Sequence, residues 1–182
     1  MKLEIKIAKK LTYSEKDLIN KSRVREYGDG IIDFEEKAES IVFFVKDDDG
    51  IVAFGMLNKI LITYLDKKYN ILGIGQILAI KKGRGYGKFL MKAVKEYLVK
   101  KGETGVGFCG AKNMPFYEKC GFRTKVDLIN RFRYKNPKTG IITADKDDAP
   151  GEGGGMYYNG IDNFMKNLLS TKSLAYSNID FW

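Results

Sequence analysis

Three glycines stand at every second position in the run Lys82-Gly83-Arg84-Gly85-Tyr86-Gly87-Lys88, and Lys82, Arg84 and Lys88 place three cations among them. Residues 71–80, just before this run, are mostly apolar. After Gly87 the apolar period becomes helical: Leu90, Val94, Tyr97 and Leu98 fall on one face, and Lys92, Lys95, Glu96 and Lys100 on the other. A buried strand turning through glycines into a helix has the makings of an anion site. The first N–H groups of a helix lack intrahelical partners, and the helix dipole puts partial positive charge at that end. Glycines let the oxygens of an anion approach the backbone closely. The pattern is not a P-loop, which needs Gly-Lys-Ser/Thr after four intervening residues. Nor is it the G-x-G-x-x-G dinucleotide fingerprint, since the glycines alternate. The plain alternative is a tight strand-to-helix turn that holds no ligand.

Other chemistries are narrowed by what the chain contains. It has no histidine, which removes Ser-His and Cys-His hydrolysis and every imidazole base or metal ligand. Its two cysteines, Cys109 and Cys120, match no zinc spacing and no disulfide framework, and read as small buried hydrophobes. No metal is expected. The formal charge of +9 is spread along the chain without a dense basic block, so an anionic small molecule accounts for it better than nucleic acid. The 182 residues, 44% of them apolar, suit one domain with a hydrophobic core. The apolar runs are too short or too interrupted to span a bilayer, and the first residues alternate as a strand does, so a cytoplasmic protein without membrane association is expected.

Several elements must position the glycine run. Residues 3–8 alternate as a strand. Thr12 or Ser14 caps a helix that ends near residues 27–30. A short helix is expected over residues 33–39. Residues 40–46 read as a buried strand. Asp49-Gly50 turns the chain into a return strand over 51–57, extending through 60–64. Residues 67–70 read as another turn. In the strand over 71–80, Gly73 and Gly75 hint at a bulge or at close backbone approach. Gly102 closes the helix after the glycine run. A strand over 104–109, a helical turn over 113–119, a strand over 126–134 and a turn over 136–140 follow. Residues 145–155 are acidic and glycine-rich, hence a loop. Residues 156–158 make a last short strand, and Phe164, Leu168 and Leu169 form an amphipathic patch. Strands with a helical crossover make a mixed α/β sheet.

The segment Lys82-Gly83-Arg84-Gly85-Tyr86-Gly87 resembles motif A of the GNAT acetyltransferases, Q/R-x-x-G-x-G/A, with lysine at the first place. A second segment, Asn113-Met114-Pro115-Phe116-Tyr117-Glu118-Lys119-Cys120-Gly121-Phe122, resembles that family's N-x-x-x-x-F-Y-x-K-x-G-F in compressed form. The match covers roughly residues 40–123, and residues 1–39 by element order alone. It implies the GNAT fold: a central mixed, mostly antiparallel twisted sheet of about six or seven strands flanked by helices. The expected arrangement is a single domain over 1–182, with a core near 1–135 and a C-terminal extension over 136–182. The resemblance further implies acetyl-CoA as cosubstrate. Its pyrophosphate would lie on the backbone amides of Gly83, Arg84, Gly85, Tyr86, Gly87 and Lys88, next to Lys82. Its pantetheine arm would pair with Leu78, Ala79 and Ile80, and an N–H near Leu78 would polarise the thioester carbonyl.

In the family the tyrosine matching Tyr117 protonates the departing thiolate, chemistry that a phenol near the sulfur can perform. The other reading of Tyr117 is packing. Asn113 hydrogen-bonds the cofactor arm or only caps its helix. No acid stands on the strand before the glycine run, where Gln76 lies, so the base is elsewhere or is water. Asp33, Glu35 and Glu36 are candidates by position, and Glu35 is taken as a substrate contact. A weaker similarity to aminoglycoside 2′-N-acetyltransferases rests on the late acidic residues Asp145, Asp147, Asp148 and Glu152 and on the final Trp182, whose carboxylate would face the acceptor. The alternative is a solvated loop and a packing tail. Direct transfer to a small-molecule amine is the expectation, by a monomer or homodimer. A peptide acceptor, or a silent acyl-CoA-binding module, stands beside it.

Overall fold

The computed structural model describes residues 1–28, 30–144 and 152–180. In chain order the elements are β1 (Lys2–Ile7), α1 (Tyr13–Tyr27), β2 (Ile41–Asp47), β3 (Gly50–Tyr64), β4 (Lys67–Ala79), α2 (Tyr86–Lys101) and β5 (Gly105–Gly110). Then come α3 (Met114–Lys119), β6 (Arg123–Val126), β7 (Phe132–Lys135), β8 (Ile142–Thr143), β9 (Gly153–Tyr158), α4 (Phe164–Leu169) and β10 (Ala175–Ser177). The fold is mixed α/β, with ten strands in one sheet among the described residues. β4 with β5 and β7 with β10 pair parallel. The pairings of β1, β2 and β3, of β5 and β6 with β9, of β7 with β8 and of β3 with β10 are antiparallel. No helix among the described residues is long and apolar enough to cross a membrane.

The chain makes two compact units, Met1–Asn58 with Gly75–Val94, and Lys59–Ile74 with Lys95–Trp182. β3, β4 and α2 each give residues to both. In the first unit, β2 pairs with β1 on one side and with β3 from Gly50 to Leu57 on the other. Val42, Phe44, Phe54, Met56 and Leu78 pack with Ile19 of α1 in its core. A capping box starts α1: Glu15 N–H donates to Thr12 Oγ1, and Thr12 N–H donates to Glu15 Oε2 at 2.9 Å. Thr12 is therefore the cap, and Ser14 is not. Lys6 of β1 donates to the other oxygen of Glu15 at 2.6 Å, which ties the helix to the edge strand.

In the second unit, Val106, Phe132, Tyr157, Phe164, Met165 and Leu168 form the core. Of the described residues after 136, β9 and β10 are strands of the sheet. β9 lies between β5 and β6, from Gly105↔Tyr158 to Val126↔Gly154. A Cβ on Gly155 would stand 2.7 Å from Cβ of Leu128, and one on Gly154 2.7 Å from the sulfur of Met114. The glycine run 153–155 is thus an inner strand against packed side chains, where composition suggests a loop.

Three further expectations change. Residues 34–39 form turns: Asp33 Oδ1 accepts from the N–H of Glu35 at 2.8 Å as a helix cap does, but the bonds that follow, from Ala38 N–H to Glu35 carbonyl and from Ser40 N–H to Lys37 carbonyl, span three residues and do not run on as an α-helix. The turn expected at 67–70 falls at Leu65 and Asp66, with φ of 46° and 62°, leaving Lys67 onward for β4. The strand expected over 126–134 breaks at Asp127, with φ of 54°. A 3₁₀ turn follows and drives Leu128 and Ile129 into the interior, so that β6 and β7 join different partners.

Candidate active site

β4 carries residues 71–75 buried in succession, as a strand covered on both faces should. Next to Gly75, the backbone of Gln76 turns left-handed, with φ of 57°. The bend foreshadowed by Gly73 and Gly75 therefore falls on their neighbour. Two groups of α1 hold it. Arg23 Nε donates to Gln76 Oε1 at 2.5 Å, and Tyr27 hydroxyl donates to Ile77 carbonyl at 3.4 Å. Beyond the bend, Ile80 N–H donates to Val52 carbonyl of β3 at 2.9 Å. Alternate residues of a strand direct their amides to opposite edges. Leu78 therefore shares the β3 edge with Ile80, while Ile77 and Ala79 face the other. Of the three backbone positions expected for the pantetheine arm, Ala79 has its amide on that other edge, and the Ile80 N–H is already engaged.

The glycine run leads from β4 into α2, whose helical residues begin at Tyr86. Gly83 and Gly85 have φ of 76° and 79°, and nothing lies within 4 Å of where their Cβ atoms would stand. Positive φ explains glycine at both places, and the open space leaves the backbone approachable. Lys82, Gly83, Arg84, Gly85 and Lys88 are exposed, while Tyr86 and Gly87 are half-buried. Side chains from outside the run fix its ends. Tyr86 hydroxyl donates to Asp47 Oδ2 at 2.7 Å. That bond is the foremost cause holding the Asp47 carboxyl below its usual range, and it pushes the Tyr86 phenol up. Lys81 pairs with Asp49 and, at 3.5 Å, with Asp47. Lys82 donates to both carboxylate oxygens of Glu26 at 2.6 and 2.8 Å, which spans the run to the end of α1.

A pocket of about 260 Å³ opens at this place, lined by Ser22, Arg25 and Glu26 of α1, Leu78, Ala79 and Ile80, and Lys82. Four of the residues expected to touch the cofactor are in that lining. The lining joins an apolar floor, Leu78, Ala79 and Ile80, to the charged side chains of Arg25, Glu26 and Lys82. Sequence reasoning named neither the α1 face nor Asp47. Their places depend on pairings across tens of residues, which no local pattern announces.

Tyr117 and Asn113 belong to the second unit. Tyr117 is buried on α3, its ring edge-on to Phe116 at 5.0 Å. Its carbonyl accepts from Cys120 and Phe122 N–H, so the Gly121-Phe122 turn holds this tyrosine's backbone. Asn113 is exposed and precedes α3 without a side-chain capping bond, which leaves its amide available. Glu35 sits in the turns before β2, its side chain 90% exposed and 3.7 Å from Lys16 in the first turns of α1. The pocket takes its α1 lining from the later turns of that helix, and Glu35 is not part of it. Asp145, Asp147, Asp148 and Trp182 lie outside the described residues; Glu152 is exposed. Among the described residues, no group of three or more His, Cys, Asp or Glu side chains is arranged to hold a metal ion.

Comparison with known proteins bears on the family and the fold. The model of the acetyltransferase (GNAT) family matches residues 11–122. No curated relative matches the sequence. Among solved structures, an acyl-CoA N-acyltransferase from Pseudomonas aeruginosa superposes with a TM-score of 0.58 at 14% identity, covering 86% of this chain and 99% of that one. ElaA of Escherichia coli gives 0.59 at 15% identity, covering 86% and 97%. An acetyltransferase from Bacillus subtilis, solved in complex with CoA, gives 0.53 at 18% identity, covering 86% and 97%. At such identities these likenesses speak for the fold.

Proposed function

This chain belongs to the acetyltransferase (GNAT) family, and on that premise we propose that it passes the acetyl group of acetyl-CoA directly to a primary amine of a small molecule. It is an acyltransferase by family, with acyl-CoA as donor. The observation that supports the acetyl-CoA half of this reading is the open, left-handed turn through Gly83 and Gly85 before α2, next to a pocket floored by Leu78, Ala79 and Ile80. That run presents backbone N–H groups and the dipole of a 16-residue helix to an anion. The residues fit the group: the amides of residues 83–88 take the pyrophosphate, with Arg84 and Lys88 adding charge. Ala79 offers an outward amide to the thioester carbonyl of the donor. Tyr117 gives its proton to the sulfur that leaves, and Asn113 binds the arm. The acceptor we favour is a polyamine of the aminoglycoside kind, drawn by the acidic residues 145–152.

The test is a calorimetric titration of acetyl-CoA into the purified chain, with ATP as the anion control. Stoichiometric binding of acetyl-CoA and not of ATP supports the reading, and a panel of aminoglycosides, polyamines and peptide amines then sorts the acceptors. Equal binding of both anions, or of neither, would reduce the run to a generic anion site or a turn.

A further inference from the structure

We propose that Arg23 is a positioning residue for the transfer. Its hydrogen bond to Gln76 holds the left-handed bend of β4, and the bend aims the outward amides of Ile77 and Ala79 at the donor's carbonyl. The proposal rests on the acetyl-CoA reading above.

Left-handed backbone is disfavoured for any residue with a Cβ, by roughly a factor of ten in population. Gln76 adopts it with φ of 57° in the middle of a strand, where Gly73 and Gly75 close by do not. A residue persists there only when its surroundings over-determine it. Glutamine brings what glycine cannot, an amide oxygen that accepts from Arg23 Nε at 2.5 Å. Arg23 is itself confined. A Cβ on Gly30 would stand 3.2 Å from its guanidinium. Asn20, one turn earlier on α1, binds Ile32 through both its amide and its carbonyl oxygen, so the segment after α1 folds back over this part of the helix. The Ile77 carbonyl, which accepts from Tyr27 hydroxyl, points to the edge away from β3, as the alternation fixed by Ile80 and Val52 requires. The bend thus decides where the two amides after it point, and α1 decides the bend.

The experiment records the thioester carbonyl stretch of carbonyl-labelled acetyl-CoA bound to the full chain, by isotope-edited infrared difference spectroscopy, with calorimetry of acetyl-CoA alongside. Wild type is expected to move the band to lower frequency than in water. Gln76→Ala, which keeps a Cβ and removes the acceptor, should lose most of that movement, and Arg23→Ala should match it. Affinity should stay within about threefold, because arm and phosphate contacts remain. Gln76→Gly, which tolerates the bend unaided, should keep the movement, and adding Arg23→Ala to it should change nothing. A merely structural arginine would alter stability in every background and leave the band alone. Wild-type band position in Gln76→Ala would overturn the proposal. So would loss of the movement when Arg23→Ala is added to Gln76→Gly, since Arg23 would then act other than through the bend. If Arg23→Ala does not fold, the contrast of alanine with glycine at position 76 decides alone. Failure of wild type to bind acetyl-CoA would remove the donor reading and this proposal with it, which a failure in the variants alone would not do.

Discussion

Gly85 combines φ of 79° with open space around its missing Cβ, so two properties can be separated there. Gly85→Ala adds little bulk but strains the backbone, and is expected to weaken acetyl-CoA binding about tenfold. Gly85→Glu adds a carboxylate beside a polyanion and should weaken it further. Calorimetry on folded variants measures both, and wild-type affinity in each would take the run out of the binding site. Tyr117 makes a different test. It is buried against Phe116, so Tyr117→Phe keeps the ring and removes only the hydroxyl. Turnover should fall by about 10²-fold or more while acetyl-CoA affinity holds, as loss of a general acid implies. Normal turnover would return this tyrosine to packing. The contrast between Gly85 and Gln76 shows what single residues disclose. Glycine at alternate positions announces positive φ by its type. Glutamine announces nothing, and its bend exists because Arg23, 53 residues earlier, holds it.

Helix α1 supplies both the pocket wall and the partners of the β4 bend, so its stability bears on the site although none of its residues was foreseen there. The capping box at its start joins Thr12 and Glu15 reciprocally. Thr12→Ala should cost about 1 kcal/mol, read as a fall in Tm of roughly 2–4 °C for a chain of this size. A change confined to spectra of the donor, with Tm unmoved, would mean that the cap does not limit folding. Elements with a local signature were legible before the structure: a cap at Thr12 or Ser14, a hairpin turn within residues 47–50, which the structure centres on Asp48 and Asp49 with Gly50 already in β3, and the helical period after Gly87. Elements defined by partners far along the chain were not. The first half of β9, residues 153–155, reads as loop because a glycine run has no β propensity, yet its lack of side chains is what lets it lie against Leu128 and Met114. The apolar run after Asp127 reads as strand because a buried 3₁₀ turn and a buried strand share a composition.

At the scale of the whole molecule, the absence of histidine shapes how stability must follow pH. The groups with displaced pKa lie at the two ends of the range. Glu4 is held below the usual carboxylate range foremost by a hydrogen bond from Lys46. Asp47 is held low foremost by the Tyr86 hydroxyl. For Glu15, burial pushes upward, but the bonds from Lys6 and from Thr12 N–H prevail and lower it. At the basic end, Lys6 is raised foremost by its bond to Glu15, and Lys81 by its bond to Asp49. A lowered carboxylate adds stability above its unfolded pKa and loses it as pH falls through the folded one. A raised lysine adds stability below its unfolded pKa and loses it as pH rises through the folded one. Urea midpoints should therefore be level from about pH 5 to about pH 9, fall on acidification below about pH 4, and fall again above about pH 10.5. The acid limb should be the steeper in low salt, because protonating carboxylates adds to a charge already at +9. Glu15→Gln keeps a side chain able to close the capping box, yet removes the charge facing Lys6. It should flatten part of the acid limb without abolishing the helix. A step in stability between about pH 6 and pH 7.5 would contradict this account, because no histidine is present to titrate there.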